Sequence, residues 1–483
     1  MRAAAPTLTC VLFAALLSGC AGLPSKPAPV RLADSLPLGA LAAPRGGWPS
    51  SHWWRRYRDP TLDRLVAMAL ASSPSLASAH ARFDSARQGV RIAAAASGAR
   101  VDFAGDLARQ RLSNHGLIPA SLLGFAWYNQ ADLGLQARYT FDWWGKQRDL
   151  VEAAADRARV AQAERSAAAL ALASAVTDSY FGWQADQSRL VIARAALNAA
   201  ERTRAIAVAR VRAGLDPAEE VSQGDIDVAA ARGRIAALRG SANLRVVALA
   251  ALIGRPRSTL PVLAARPLPR VALRIPRDVR IDLLARRPDI AASRWLVDAA
   301  QSRSASARAD FLPDISIDAL AGLSSVDIGK LLQYGSRDPL ASVALHLPIF
   351  DSGMLRARYG VTRAQLHAAV DRYDQTLIAA ARDVATQAAS LEALAAERAE
   401  QRLGVEAARR LYVSATALVR QGLSDRRGQI EAQLRLLEQR DRLVQLDAAA
   451  LTADAALQTA LGGGYGGTPA PAKPGSTVKK PNP

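Results

Sequence analysis

The chain says the same thing twice. Leu70-Ala71-Ser72-Ser73-Pro74-Ser75-Leu76 resembles Leu284-Ala285-Arg286-Arg287-Pro288-Asp289-Ile290, and Phe141-Asp142 returns as Phe350-Asp351. Val211-Arg212-Ala213-Gly214-Leu215 returns as Val419-Arg420-Gln421-Gly422-Leu423, and Leu252-Ile253-Gly254 as Ala460-Leu461-Gly462. The offsets are 214, 209, 208 and 208. Four matches in order at a nearly constant offset mark a duplicated unit. Whatever fold one half adopts, the other must adopt as well.

Each unit has one plan. A helix of roughly forty residues (about 61–97 and 278–309) precedes two short stretches of alternating polarity. A very long helix follows (about 145–213 and 352–421), then a Gly turn and a last helix (about 217–253 and 425–461). No Pro interrupts 120–216 or 349–468, so the long helices can run unbroken. Seventy helical residues would reach about 100 Å. Val370, Leu377, Val384 and Leu391 repeat by seven, as do Ile430, Leu437, Val444 and Leu451. Leu436, Leu443, Ala450 and Leu457 form a second seam beside the latter. A strict seven-residue repeat implies left-handed supercoiling. Two apolar seams on one helix call for neighbours on both sides, as in the wall of a helical barrel.

In the alternating stretches the period becomes two. Val101, Phe103 and Leu107, then Ala131 to Phe141, then Ile315 to Leu323, then Val343, Leu345, Leu347 and Ile349 put apolar residues on one face and polar ones on the other. Segments of about ten residues of this kind suit a transmembrane β-barrel or a half-buried soluble sheet. Trp127 and Tyr128 before one strand, with Tyr139, Phe141, Trp143 and Trp144 at its far end, resemble two interfacial girdles. Four strands cannot close a barrel in lipid, where an open edge is not tolerated. Subunits would have to share one, and three copies would give twelve strands and a wide pore.

Composition removes other classes. There are 62 Lys+Arg against 43 Asp+Glu, a net charge of +19, yet Lys occurs only at 26, 146, 330, 473, 479 and 480. The Arg are scattered, with no basic stripe and no aromatic interleaving, which argues against nucleic acid as a partner. Beyond the N-terminus no run of eighteen uncharged apolar residues occurs, which argues against a polytopic helical membrane protein. His52, His80, His115, His346 and His367 have no metal-ligand spacing, and no nucleophile set or phosphate loop stands out. Gly462 to Gly467 matches G-x-G-x-x-G but opens no helix. No catalytic site, cofactor or metal is expected.

The N-terminus reads Arg2, an apolar run from Ala3 to Leu17, and then Leu17-Ser18-Gly19-Cys20. This is a secretory signal whose last four residues resemble the bacterial lipoprotein signal, so Cys20 is expected to begin the mature chain and to carry acyl chains. The organisation expected is a signal peptide over 1–19, a lipid-anchored extended linker over 20–60 and a first repeat over 61–254. A linker over 255–277, a second repeat over 278–462 and a disordered tail over 463–483 complete it.

Several motifs together resemble the outer-membrane factor (TolC-like) efflux channels, the lipoprotein branch that serves resistance-nodulation-division and related pumps. Trp54 to Leu62 looks like W-x-x-x-x-D-P-x-L, and Arg287-Pro288-Asp289-Ile290-Ala291-Ala292 looks like R-P-D-I-x-x-A. Ala309 to Ile315 resembles A-x-F-x-P-x-I, and Leu347-Pro348-Ile349-Phe350-Asp351-Ser352-Gly353 resembles L-P-I-F-D-x-G. The resemblance covers about 50–462. It implies a homotrimer with a twelve-stranded barrel in the outer membrane and a long α-helical barrel in the periplasm. It implies an exit duct for drugs or other small molecules, opened by a periplasmic adaptor protein and an inner-membrane pump. The family tip reads G-x-x-x-x-L-x-V-L-D-A. Here Gly422 to Ala432 departs from it, with Glu431 in the usual Asp place and Arg427 and Gly428 where other residues are expected. Asp425, Arg426, Arg427 and Glu431 in the second hairpin, with Glu220 and Gln223 in the first, are the candidate gate residues. Residues 215–227 sum to −5 and residues 423–435 to +1, so charge patterning sets an acidic tip beside an Arg-bearing one. The competing readings are a lipid-anchored coiled-coil scaffold or adhesin, which needs no barrel, and a periplasmic enzyme.

Overall fold

The computed structural model describes residues 24, 32, 46–115, 119–272, 274, 276 and 286–466. Cys20, the signal segment and most of the expected linker and tail lie outside the described residues. The chain divides into two compact units. One combines Met1–Leu32, Phe83–Val160 and Ser293–Tyr373; the other combines Ala33–Arg82, Ala161–Ala292 and Asp374–Pro483.

The elements follow the duplicated plan. In the first half they are α1 (Pro60–Ser72), α2 (Pro74–Ala96), β1 (Arg100–Arg111), a short α3 (Ala120–Leu123), β2 (Trp127–Phe141), α4 (Lys146–Arg212) and α5 (Glu219–Ile253). In the second half they are α6 (Pro288–Ala309), β3 (Asp314–Ser325), β4 (Arg337–His346), α7 (Met354–Arg420) and α8 (Arg426–Ala460). Both long helices have 67 residues and both closing helices 35.

Two boundaries differ from the sequence reading. The first helix, expected over 61–97, is broken at Ser73, whose ψ of 125° is extended. Pro74 causes this, because its ring disfavours helical backbone in the residue before it. Pro288 stands at the same place in the second repeat. The alternation that ran to Ile349 ends as a strand at His346, because Pro348 has no N–H to give a ladder.

The first unit holds the sheet, antiparallel throughout, in the order β1-β2-β3-β4. Its ties to the helix ends explain the repeated Phe-Asp. The Asp142 carboxylate accepts from the N–H groups of Gln147 (3.1 Å) and Arg148 (2.8 Å), and Asp351 accepts from the N–H of Leu355 (2.6 Å). Each satisfies otherwise orphaned donors where a long helix starts. Lys146 Nζ reaches Asp310 at 2.8 Å and Asp314 at 3.4 Å, and Trp144 Nε1 donates to the Pro313 carbonyl at 2.9 Å. Gly134 and Gly322 face each other across β2 and β3, so close that a Cβ on Gly134 would sit 2.8 Å from the Gly322 Cα.

The second unit is held by a core of Trp53, Trp54, Tyr57, Leu62, Leu65, Val66, Val176, Tyr180, Phe181, Leu249, Ile253 and Leu451, all buried. Most of the heptad seam is buried too, with Leu377, Val384 and Leu391 on α7 and Ile430, Leu436, Leu437, Ala450, Leu451 and Leu457 on α8, while Leu443 and Val444 are half-buried. The W-x-x-x-x-D-P-x-L segment organises the core's polar groups. Asp59 accepts from the N–H groups of Thr61 (2.8 Å) and Leu62 (3.2 Å) and from the Tyr180 hydroxyl (2.7 Å), so it caps α1 and tethers α4 at once. The Tyr57 hydroxyl donates to Asp454 at 2.7 Å, and Arg56 pairs with the same carboxylate at 3.3 Å. Burial raises the Asp454 carboxyl despite the opposing pull of Arg56 and Tyr57.

The two helix breaks dock alike. The Ser72 hydroxyl donates to the last carbonyl of α5, that of Ile253, at 2.8 Å. Arg287 donates to the last carbonyl of α8, that of Ala460, at 3.2 Å, while pairing with Asp289 at 2.6 Å and Asp383 at 3.4 Å. Both satisfy a helix C-terminus that has no partner of its own.

Candidate channel wall and hairpin tips

The strand register decides what the sheet can do. Phe103 pairs with Leu135, Leu135 with Ala321 and Ala321 with Pro339. Tyr139 pairs with Ile317, and Ile317 with Val343. The apolar set of every strand therefore falls on one face. That face is bare in the single chain: Phe103 is 68% exposed and Val343 73%. The opposite face carries Arg100, Asp102, Asp106, Asp132, Gln136, Arg138, Asp318, Ser324, Asp338 and Ser342 by the same register. On it Arg100 pairs with Asp102 at 2.7 Å, Arg138 pairs with Asp318, and Gln130 Nε2 donates to Asp132 and to Ser324 at 2.9 Å each. One face suits hydrocarbon and the other suits water, the division a transmembrane barrel wall requires.

In the second unit the two helical hairpins turn alike. Gly214 (φ 69°) and Gly422 (φ 72°) take the left-handed conformation that closes a helix. The N–H of Leu215 bonds the Arg210 carbonyl and that of Leu423 the Leu418 carbonyl, at 2.9 Å each. The turns then part. Asp425 caps α8 by accepting from the Gly428 N–H at 3.1 Å. Asp216 does not cap α5, although Asp216-Pro217-Ala218-Glu219 has the local form of a helix start: α5 begins at Glu219 after Ala218, which makes no side-chain cap. Asp216 instead takes both guanidinium branches of Arg210, at 2.8 Å each, and also the guanidinium of Arg427 from the other hairpin. The two arginines hold its carboxyl down at about 2, with Arg210 as the larger cause.

The candidate gate residues thus separate. Arg427 is joined to the acidic tip through Asp216, within one chain. Asp425 serves its own helix. Gln223 donates to Asp227 at 3.1 Å on its own helix. Arg426, Glu431 and Glu220 are exposed, and among the described residues none of the three has an ion pair or side-chain hydrogen bond. Arg210 escaped the sequence reading. Its signal was the six-residue spacing to Asp216 across a Gly turn, which folds the chain back onto itself. Among the described residues no group of His, Cys, Asp and Glu is placed to hold a metal.

A duplicated helical chain with a sheet that is apolar on one side and polar on the other defines the subunit of an outer-membrane channel. The match to known proteins makes the class specific. The family model described as outer membrane efflux protein matches residues 65–255 and again 280–463, once for each repeat, and the chain belongs to that family. It is 34% identical over 469 residues, 94% of this chain and 95% of the relative, to the multidrug resistance outer membrane protein MdtP of Escherichia coli O6:H1. It is 30% identical to the multidrug resistance outer membrane protein MdtQ of the same strain, with 95% and 98% covered. Among solved structures it resembles the outer membrane protein VceC of Vibrio cholerae (TM-score 0.77, 30% identity, 86% of this chain and 100% of that one). It shares its fold with the CmeC outer membrane channel of Campylobacter jejuni (TM-score 0.82, 20% identity, 92% and 95% covered). The protein is an outer-membrane efflux channel, and its family is one of channels rather than enzymes.

Proposed function

We propose that three copies of this chain form one exit duct, with β4 of each copy pairing with β1 of the next to close a twelve-stranded barrel. The observation that carries this is the four-strand sheet itself. Its one face is apolar from the helix-proximal rim through the middle of the sheet, and β1 and β4 are its free edges. An unpaired edge is not viable in lipid, and closure through like copies removes it. The helices support the same reading. Helix α5 is apolar and long enough to cross a membrane by composition alone, but Ile226, Leu244 and Val247 along it are exposed, as expected of a face that a second copy covers. Detergent-extracted protein should be trimeric by mass photometry and should conduct in planar bilayers. A stable monomer with native secondary structure would refute the shared barrel.

The duct would work as the outer part of a tripartite assembly, receiving its cargo from an inner-membrane pump through a periplasmic adaptor. The cargo class is the toxic amphiphiles suggested by the multidrug resistance in the relatives' names. Deletion should raise intracellular accumulation of at least one such compound while the partner pump is expressed. Acylation of Cys20 would add a second hold on the outer membrane. Intact-mass spectra of the mature chain should show Cys20 as residue one with about three acyl chains, and an unmodified thiol there would end the claim.

The closed tip would be held by the Asp216 cluster within each chain, with Arg426 and Glu431 exposed and available to the neighbouring copy. Arg426→Glu with Arg427→Glu places acid against acid. In assembled trimers it should enlarge conductance at low salt and admit bulky antibiotics without a pump. Unchanged conductance would move the gate to Glu431 or to the apolar tip residues.

A further inference from the structure

The apolar face of the sheet ends differently at its two rims. Its helix-proximal rim, where β2 runs into α4 and β4 into α7, carries Tyr139, Phe141, Ile315 and Leu345 and no charge. The opposite rim carries Arg109 and Arg111 at the end of β1 and Arg337 at the start of β4. The neighbours on that face at that rim are Trp127, Asn129, Leu323 and Ser325, so no acid accompanies the three arginines. Among the described residues none of the three makes an ion pair or a side-chain hydrogen bond. Two of them lean on aromatic rings instead: the Arg109 guanidinium lies 5.5 Å from the Trp127 ring centre, and that of Arg337 lies 4.0 Å from the ring centre of Tyr334.

Cations on the lipid side of a barrel are disfavoured at the bilayer midplane and tolerated only near its surface. Trp on the same face marks that surface. The rim in question is the one away from the helices, so in the barrel reading it meets the external leaflet. A guanidinium presents a planar fork of donors that matches a phosphate with two bonds, and its stacking on a ring fixes the fork in place. We propose that Arg109, Arg111 and Arg337 form a cationic collar that binds the phosphate groups of the phosphorylated glycolipid of the outer leaflet. The site is three guanidiniums per chain, spread over the two edge strands, and shape and charge both select a lipid headgroup held at membrane level. The collar rests on the barrel reading, because β1 of one copy and β4 of the next would bring their arginines to one seam.

The test compares wild-type trimer with Arg109→Gln/Arg111→Gln/Arg337→Gln, both first checked for a heat-modifiable trimer and for conductance. Native mass spectrometry then measures retention of bisphosphorylated lipid A, of the same lipid with its phosphates removed, and of lipid A in the presence of inorganic phosphate. Wild type should hold lipid A at least tenfold more tightly than the triple variant. The dephosphorylated lipid should bind both proteins alike, and millimolar inorganic phosphate should not displace lipid A. Should the triple variant fail to assemble, each single Arg→Gln should still weaken retention two- to fivefold. Equal retention by wild type and variants overturns the collar, and so does displacement by free phosphate. A wild type that never assembles overturns the barrel reading and the collar with it, whereas an assembled wild type indifferent to lipid A overturns the collar alone.

Discussion

The two hairpin tips have one backbone and two chemistries. Gly214 and Gly422 turn with φ values of 69° and 72°, and the same closing hydrogen bond follows each, at 2.9 Å. Yet the first tip leaves Asp216 free of capping duty and the second spends Asp425 on it. The helix breaks diverge in the same way. Ser72 reaches the end of α5 with a hydroxyl, while Arg287 reaches the end of α8 with a guanidinium and two carboxylates. After duplication the turn geometry tolerates one residue type, so it stays. The charges are free to drift, and at the tips they have drifted into a complementary pair, Asp216 and Arg427.

The comparison is most exposed at the breaks. Arg287→Ala leaves the Ala460 carbonyl without its charged donor, while Asp383, 36% exposed, keeps Arg382 at 2.9 Å. It should cost about 1.5–3 kcal/mol, the range for losing a hydrogen bond to a charged group. Ser72→Ala removes a hydroxyl that meets the Ile253 and Met68 carbonyls at 2.8 Å and accepts from Arg255 Nε at 3.3 Å, and should cost about 1 kcal/mol. Amide exchange in the last turn of α8, against the last turn of α5, reads both; equal effects would mean the breaks are energetically alike despite their chemistry. At the tips, Gly214→Ala and Gly422→Ala meet no atom within 4 Å of the new Cβ, so only the left-handed backbone is penalised. Each should lose about 1–2 kcal/mol of local stability, and by the same amount. A clear inequality in tip exchange or proteolysis would show that the shared turn is not equally strained.

Acid should separate the tips further. The Asp216 carboxyl is lowered in the folded chain, so its contribution is complete above its ordinary range and is lost as pH falls toward about 2. Exchange at the first tip should hold steady at mild acidity and rise steeply as that value is approached. Asp216→Asn should be loose at every pH. The smallest effect is expected at Asp454, whose carboxyl is raised. Its contribution is present in acid and fades as pH rises through that raised value. Asp454→Asn should therefore leave stability at neutral pH unchanged or slightly higher and flatten its acid dependence, by thermal unfolding of the detergent-extracted protein.

The duplicated plan was legible because it rests on local rules. Uninterrupted Pro-free runs gave α4 and α7 within a few residues, a Gly turn set off α5 and α8, heptad seams supported α7 and α8, and period-two alternation gave four strands. The break at Ser73 is written in Pro74, inside the helix that the sequence reading runs from 61 to 97. The end of β4 was likewise written in Pro348. What could not be read is what depends on meeting across the fold. Asp216-Pro217-Ala218-Glu219 has every local mark of a helix cap, yet Arg210 and Arg427 outbid the helix for the carboxylate. Nor does any local signal tell Arg287 that its guanidinium will end at Ala460, 173 residues on.

The facing pair Gly134 and Gly322 bears on the width of the duct. Closing twelve strands turns the sheet through about 30° per strand, and side chains on the concave side crowd as the radius tightens. This glycine pair lies on the polar face, which would be the concave one in the proposed barrel, and leaves no side chain on either strand at that level of the β2–β3 seam. Curvature can concentrate there, as at the glycine kinks of small barrels. The circle is then not evenly bent. Each copy would contribute one sharp corner and three gentler ones, and the bore at that level would be nearer a rounded triangle than a ring.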